Sequence, residues 1–503
     1  MNIQNISQLA QAAVDEFKAA TKNGSGVPGE TLSKAVGITV ATGILNYDLQ
    51  RPAKNLIPVI TPLRNRLPRV PGNGGSATNW IEVTDINKLH LAGPVPEGTR
   101  QGVVTTKAGA KAANYVTLGL EDFVTIQAEL GAVNFEDIRA TSAMRLLWAT
   151  MIMEEREIVG QNNSIPLGVP VLAALTVNAT GGLIPNVAGY TVYVVALTNI
   201  GREASSVSLT GLPDAQVVYP ADGSASFTVG GGSSNKSNAQ VTGATGGTGI
   251  SSISCHCTQI PGAVAYAWFI GLTAGGKFYL NQITTINSAL IVDAGTATQE
   301  IAGITGDESE NTLGFDGLIT IASKYATNNA YYAALAKGTD GTGTPLTSAD
   351  SDGVIPEIDA CNRDRWDNYR LGFDAWYVNS QEGRNISKKI LAANPMHINY
   401  AGGEDGLTGG QIIKYMLNPY TGQRQEIIIH PNMPAGTMLG VTHTLPYPMS
   451  NVPNVLEMKL RRDYFQMEWP MRTLKYETGV YFDGVLADYF PPALGLITNI
   501  GNG

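Results

Sequence analysis

Charged side chains are scarce in this 503-residue chain: they make up 15% of its residues, against about 25% in an average soluble protein. The 33 basic residues are outnumbered by 42 acidic ones, and the formal net charge is -9. Coating nucleic acid requires clustered Lys and Arg, so this balance excludes a generally basic nucleic-acid coat. The scarcity indicates surface that is buried against something else or lies in loops rich in the chain's 57 glycines.

Cysteines and long apolar runs are also scarce. Cys255, Cys257 and Cys361 cannot form a disulfide framework, so packing must stabilise the fold. A run of about 18 apolar residues, as a membrane-spanning helix needs, is missing. The N-terminal segment lacks the basic start and apolar core of a signal peptide. We therefore expect a protein without membrane contact that is made and assembled in a cytoplasm.

The sequence contains none of the usual catalytic or metal-binding patterns. Cys255, His256 and Cys257 are adjacent, but no second ligand pair lies nearby, so they predict a strand in which the two cysteines share one face. The adjacent acids Glu154 and Glu155 are interpreted as a solvated helix face. We predict no catalytic, cofactor-binding or metal-binding residue and no enzymatic activity.

The N-terminal part, residues 1–75, predicts a short amphipathic helix followed by an extended arm. Apolar residues from Asn5 to Thr21 repeat at helical spacing, whereas the prolines beyond Arg51 exclude a helix of ordinary length. Nine basic and three acidic residues lie between Arg51 and Lys111, a net charge of +6. A basic arm on an acidic molecule is typical of a segment that seeks a partner, although a solvated linker is the alternative.

A projecting hairpin is predicted over residues 76–122. Strand-like sequences occur from Thr78 to Leu91 and from Val103 to Leu120, around a tip rich in proline and glycine at 93–100. Residues 123–164 are predicted to contain a long helix, with Asn134 as its cap and Gly160 near its end. Its 26 residues or so would span about 39 Å.

Residues 165–302 differ from the rest, since these 138 residues carry only eight charged side chains. Short alternating segments separated by Gly, Ser, Asn and Thr predict an inserted β-sandwich. Beyond it, residues 303–503 mix helices, such as Leu313 to Lys337, with strands. They end in a long strand pair, Val455 to Phe465 and Thr473 to Phe482.

The order of these elements resembles that of the major capsid proteins of tailed bacteriophages, the Hong Kong type shell fold. The tip Gly93 to Gly98 is similar to the extended loop of that family, and Phe373 to Asn379 followed by a helix to Leu391 is similar to its axial domain. Gly422 to Gly436 resembles a late strand and turn, and Arg461 to Phe482 the last strands of the peripheral domain. Within 165–302, Ala188 to Glu203 and Pro261 to Ile270 resemble fibronectin type III or immunoglobulin-like strands.

The resemblance implies an α+β shell fold with an N-terminal arm, extended hairpin loop, spine-helix peripheral domain, axial domain and inserted all-β sandwich. It implies a subunit that self-assembles as pentamers and hexamers into an icosahedral head around double-stranded DNA, which it contacts weakly and non-specifically. The insert is expected to form an outer knob that decorates the particle or engages neighbours or host surfaces. Candidate subunit-contact residues in the arm and hairpin are Arg64, Arg66, Arg69, Trp80, Pro96, Glu97 and Arg100.

We expect a separate scaffolding protein and a portal, a decoration protein as a further partner, and location in the virion. We also expect no maturation cleavage, and we assign no Lys to Asn cross-link. Two other classes of protein are the alternatives. A polysaccharide-binding or adhesin-like surface protein would use the β insert but usually shows a secretion signal or repeats, whereas a β-rich hydrolase would need a nucleophile or an acid/base pair.

Overall fold

The computed structural model describes residues 11–12, 14–15, 52–86, 93–208, 210–213, 215–245, 249–295, 297–324, 330–350, 353–393, 412–445 and 452–503. Residues 55–503 form one compact unit. Of the predicted N-terminal helix Asn5–Thr21, the four described residues are helical, and the remainder lies outside the described residues.

The elements are numbered along the chain. The part before the insert contains α1 (Pro62–Arg66), β1 (Arg69–Pro71), β2 (Ala77–Asp85), β3 (Lys107–Asn114), β4 (Val116–Thr125), α2 (Ile126–Gly131) and α3 (Ile138–Gly160). The insert contains β5 (Thr176–Asn178), β6 (Tyr190–Leu197), α4 (Asn199–Ala204), β7 (Gln216–Val218), β8 (Phe227–Val229), β9 (Gln240–Val241), β10 (Ser252–His256), β11 (Ala265–Leu272), β12 (Tyr279–Thr284) and β13 (Ser288–Ile291). The remainder contains α5 (Leu318–Lys324), β14 (Tyr331–Ala334), α6 (Pro356–Tyr369), β15 (Ala375–Val378), α7 (Ser380–Ala393), β16 (Tyr415–Leu417), β17 (Arg424–Ile429), β18 (Met438–Val441), β19 (Leu456–Glu468), β20 (Lys475–Asp488) and β21 (Leu494–Thr498).

The long sheet has the strand order β1-β19-β20-β4. Its two central strands are the longest in the described chain and pair antiparallel, which confirms the predicted terminal strand pair. Strand β1 adds in parallel to one edge, and β4 adds antiparallel to the other. Helix α3 packs on this sheet, so one apolar core joins Ile158 of the helix to Met458 and Phe482 of the strands.

Helix α3 starts later than the sequence predicts. Its cap is Asp137, whose carboxylate accepts a hydrogen bond from the amide of Ala140. Asn134 was predicted as the cap, but it adopts a left-handed backbone conformation with φ 67° and lies in the turn after α2. Asparagine tolerates that conformation better than most residues, which explains its place in the turn. The helix has 23 residues, a length of about 35 Å.

The six-stranded sheet has the order β14-β21-β18-β15-β17-β16 and mixes parallel with antiparallel pairs. Its strand β15 is fully buried, and α6 and α7 contribute to the core around Trp376. The predicted helix from Leu313 to Lys337 is wrong in extent. Among the described residues of this range, only Leu318–Lys324 is helical, and Tyr331–Ala334 forms strand β14 on the sheet edge, where its aromatic residues suit an extended conformation.

The insert contains two main sheets, β13-β10-β5 and β12-β11-β6-β9. Side chains from both sheets share one buried core, which includes Cys255 from the first and Trp268 from the second. Cys255 and Cys257 are buried whereas His256 is partly exposed, which confirms the predicted strand with both cysteines on one face. Strands β7 and β8 form a separate, largely exposed pair.

Candidate functional site

Glu154 and Glu155 lie on the last turns of α3, and both residues are 0% exposed. Their interpretation as a solvated helix face is therefore wrong. The reason is that residues 61–71 of the predicted arm, which we call the arm segment, cover this part of the helix. Two buried carboxylates are unfavourable unless cations or hydrogen-bond donors surround them, so their partners define the site.

Glu154 is neutralised by two arginines of the arm segment. Arg64 Nε lies 2.8 Å from its Oε2, and Arg69 Nη1 lies 2.6 Å from its Oε1. The hydroxyl of Tyr464, on β19, also donates to Glu154. The guanidinium carbons of Arg64 and Arg69 lie 5.1 Å and 5.0 Å from the centre of the Tyr464 ring, so both cations also contact the aromatic ring.

Arg69 links Glu154 to a second carboxylate on β19. Its Nη2 and Nε donate to the two oxygens of Asp463, at 2.6 Å and 3.2 Å. Burial by itself would raise the pKa of Asp463, but the bound Arg69 guanidinium lowers that pKa below its usual value. This two-point contact, added to the parallel pairing of β1 with β19, fixes the arm segment against the long sheet.

Glu155 is bound by backbone amides and a histidine. Its Oε1 accepts from the amide of Leu63 at 2.8 Å, and its Oε2 accepts from the amide of Arg64 at 2.7 Å. Both amides belong to the first turn of α1, where backbone donors have no partner within the helix. The carboxylate thus satisfies donors that the short helix leaves open.

The third partner of Glu155 is His430, which follows β17 and is fully buried. Its Nδ1 accepts a hydrogen bond from the amide of Asn432 at 3.1 Å, which leaves Nε2 as the nitrogen that donates. Nε2 lies 2.5 Å from Glu155 Oε1 and donates to it. His430 therefore connects the long helix and the arm segment to the six-stranded sheet.

We call Glu154, Glu155 and the groups that bind them the arm clamp. Every oxygen of the two carboxylates accepts at least one hydrogen bond. Carboxylates bound in this way are poor nucleophiles and poor proton acceptors, so the arrangement suits mechanical attachment and not catalysis. It fastens the arm segment to the helix and to both large sheets.

Strands β2 and β3 form a two-stranded ribbon of their own. The predicted pairing of the strand from Thr78 with the strand from Val103 is confirmed, but the second strand ends at Asn114 and does not continue to Leu120. Trp80 pairs with Lys111, and Tyr115 separates β3 from β4, which pairs instead with β20. The reason is that β4 carries apolar side chains that reach the main core, whereas the alanines and glycine of β3 have little to bury.

The ribbon contacts the rest of the chain mainly at its base. The Trp80 ring lies 5.3 Å from the ring of Tyr489, and Trp80 Nε1 donates to Glu82. On the opposite face, Ile81 and Val83 are 74% and 63% exposed. Asp488 is buried beside this base. Burial, with Glu82 nearby, raises its pKa to about 7 despite the opposing effects of the Phe490 amide and Lys111.

The predicted tip residues Pro96, Glu97 and Arg100 are exposed. Their local structure is a turn in which Thr99 donates to the carbonyl of Pro96 through its amide and its hydroxyl. The structure thus brings Arg64 and Arg69 together at Glu154 and leaves the tip apart from them. Arg66 forms a third, partly exposed pair with Glu426. Whether these residues contact other subunits stays a prediction.

The sequence analysis missed the acceptors and the histidine of the arm clamp, namely Glu154, Glu155, His430 and Tyr464. A signal was present, because Glu154 lies four residues before Ile158 on the apolar face of the helix. An acid at such a position requires a cation, and the nearby arm is basic.

Within the described residues, no group of three or more His, Cys, Asp or Glu side chains is placed to hold a metal ion. In the same part of the chain, no helix combines the length and apolar character that crossing a membrane requires.

No protein-family model and no curated protein matches the chain. Among solved structures, the capsid of Myoviridae phage XM1 is similar at 9% identity, with 93% of this chain and 100% of that chain covered and a TM-score of 0.40. The capsid of cyanophage P-SCSP1u is similar at 10% identity, with 93% and 96% covered and a TM-score of 0.41. The capsid of the native GTA particle is similar at 9% identity, with 93% and 100% covered and a TM-score of 0.42.

Proposed function

We propose that this chain is the major capsid protein of a tailed bacteriophage and that it self-assembles into the icosahedral head around double-stranded DNA. The observation that carries the proposal is the ribbon of β2 and β3, which pairs with no other described strand and exposes apolar residues on one face. A two-stranded ribbon is marginally stable in water by itself. It gains stability by lying on another subunit, as the extended loop of a shell protein does.

The remaining elements support the same function. In the proposed shell subunit, α3 and the long sheet form the peripheral domain, and the six-stranded sheet with α6 and α7 forms the axial domain. Along the chain, the arm segment comes before the ribbon and α3. This is the element order that the sequence motifs suggested. The resulting α+β subunit has no assigned catalytic role.

The proposed domain boundaries follow the sequence: 1–75 for the N-terminal helix and arm, 76–122 for the hairpin, 123–164 for the spine helix, 165–302 for the insert and 303–503 for the remainder. We propose that the insert is a β-sandwich of the immunoglobulin or fibronectin type III class. Its support is the pair of sheets that share the core around Trp268.

We propose pentamers and hexamers of this chain, with a separate scaffolding protein, a portal and a decoration protein as further partners. The proposed location is the virion, after assembly in the host cytoplasm. Contact with the packaged DNA is weak and non-specific, because a net charge of -9 does not provide the clustered positive charge of a tight DNA-binding surface.

Negative-stain electron microscopy of the full chain, expressed with and without its proposed scaffolding protein, tests this function. Closed shells of uniform size are the expected result. The matched comparison is a variant in which Ile81 and Val83 of the ribbon are replaced by Asp. This variant should fold but should not form closed shells. A monodisperse wild-type monomer that binds polysaccharide would instead support the adhesin alternative.

A further inference from the structure

The insert is joined to the six-stranded sheet by a buried pair of asparagines. Asn287 lies in the turn between β12 and β13, and Asn499 follows β21 near the end of the chain. The amide of Asn287 donates to Asn499 Oδ1 at 2.8 Å, and Asn499 Nδ2 donates to Asn287 Oδ1 at 3.0 Å. Both side chains are almost fully buried, at 7% and 3% exposure.

Each asparagine of this pair has another partner in its own region. Asn287 Nδ2 donates to the carbonyl of Cys257 at 2.8 Å, and Asn499 Nδ2 donates to the carbonyl of Leu335 at 2.6 Å. Asn499 also has a φ of 61°, a left-handed conformation that most residues avoid. A conformation that costs free energy is kept where the surrounding contacts require it.

Other contacts lie along the same boundary between the insert and the six-stranded sheet, which we call the first seam. Gln259 of the insert donates to Thr498 of β21 at 3.2 Å, and the amide of Gly341 donates to Ser288 at 3.3 Å. A side chain at Gly341 would approach the backbone of Leu290 to 2.8 Å, which is closer than real contacts allow. The loop around Gly341 therefore lies directly against the insert.

A second seam joins the insert to the end of the long helix. Arg156 of α3 lies 2.8 Å from Glu203 of α4, and its Nη2 donates to the carbonyl of Ile200 at 3.2 Å. Asn199 of α4 donates to the carbonyl of Asn432, whose side chain donates in return to Glu203. Asn432 is the residue whose amide fixes His430 in the arm clamp.

From these two seams we infer that the insert is an internal brace of the subunit and not a removable decoration. It connects the end of α3 to the end of β21 and unfolds together with them. Without the insert, the buried amide of Asn499 and the polar groups near Asn432 would lose partners that water could not replace without opening the core. This role differs from the outer knob that the sequence predicted, and it does not depend on the proposed function.

Hydrogen exchange of the full-length subunit in increasing denaturant, measured by mass spectrometry, tests the brace. The peptide containing Trp268 reports on the insert, and the peptide containing Trp376 reports on the six-stranded sheet. We expect both peptides to lose protection at one common denaturant midpoint. An insert that opens at its own midpoint while the sheet stays protected would overturn the inference.

Variants at the seam make the test sharper. Asn499→Gly keeps the left-handed backbone accessible but removes the amide, and we expect it to lower both midpoints by the same amount. Gln259→Ala removes only one seam contact and provides a milder version if the first variant does not fold. The control is Asn281→Ala, which removes an exposed bond to the Asp293 carbonyl within the insert and should leave both midpoints almost unchanged. A shift confined to one peptide in either seam variant would contradict the brace.

Discussion

The arm segment 61–71 and the ribbon of β2 and β3 are neighbours in the chain, yet they relate to the subunit in opposite ways. The arm segment places its cations on buried carboxylates of α3, and its strand β1 joins the long sheet. The ribbon pairs only with itself among the described strands and exposes Ile81 and Val83. The comparison teaches that a basic, proline-rich segment can be an internal fastening, whereas a ribbon without its own core is the better candidate for contact with other subunits.

The largest effect should follow from opening the arm clamp. Glu155→Ala removes the acceptor of two backbone amides and of His430, and leaving such donors buried costs about 3–5 kcal/mol of unfolding free energy. Chemical denaturation of the unassembled subunit measures this loss. The control Glu468→Ala affects a side chain that is 59% exposed and should change stability by less than about 0.5 kcal/mol. Equal effects of the two variants would contradict the clamp.

Two arginines of the same segment offer a matched pair. Arg69→Ala removes contacts to the buried Glu154 and to Asp463, and we expect a loss of about 2 kcal/mol because Arg64 and Tyr464 still bind Glu154. Arg66→Ala removes a partly exposed pair with Glu426 and a hydrogen bond with Tyr377 but no contact to a buried carboxylate, and it should cost less than about 1 kcal/mol. Limited proteolysis near residue 60 should accelerate in the first variant and stay slow in the second. The reverse order would show that the buried carboxylate does not hold the arm.

The base of the ribbon should respond to pH through Asp488. Because burial raises its pKa to about 7 in the folded chain, from about 3.9 in an unfolded one, the folded state retains a proton that the unfolded state releases. This contribution to stability is therefore present below about pH 4 and is lost as pH rises through 7. Asp488→Asn should remove this part of the pH dependence of the unfolding free energy. It should also raise the unfolding free energy above pH 7 by about 1–2 kcal/mol. If the unfolding free energy of the variant changed with pH between 4 and 8 as it does in the wild type, Asp488 would not be the group responsible.

The smallest effect on stability should come from the ribbon tip, where Arg100→Ala changes an exposed side chain. Unfolding free energy should change by less than about 0.5 kcal/mol. If the tip contacts neighbouring subunits, the yield of closed shells should nevertheless fall, which sedimentation of assembly reactions measures. Normal yields from Arg100→Ala would remove this residue from the proposed contact surface.

Much of the architecture could be predicted because local patterns determine it. The apolar periodicity of α3 and the alternation in β19 and β20 depend on neighbours in sequence, and both elements formed where expected, apart from the helix start at Asp137. The partners of Glu154 and Glu155 could not be predicted in the same way. Arg64 is separated from Glu154 by 90 positions and His430 from Glu155 by 275, so only the folded chain brings them together.

The residue at which the second ribbon strand ends could not be predicted for a related reason. A pattern of strand-forming residues shows that Tyr115 to Leu118 is extended, but it does not show which strand it joins. Strand β4 has the better apolar face, so β20 takes it and leaves the alanine-rich β3 to pair with β2. Competition between sheets for the same strand depends on the whole core, which no local pattern reports.

Hydrogen exchange measured on free subunits and on assembled particles tests the central comparison most directly. The amides of residues 61–71 should be protected already in the free subunit and should change little on assembly. Amides at 93–114, in the tip and β3, should exchange rapidly in the free subunit and become protected in the particle. Slow exchange at 93–114 before assembly, together with protection of 61–71 that appears only in the particle, would contradict the account.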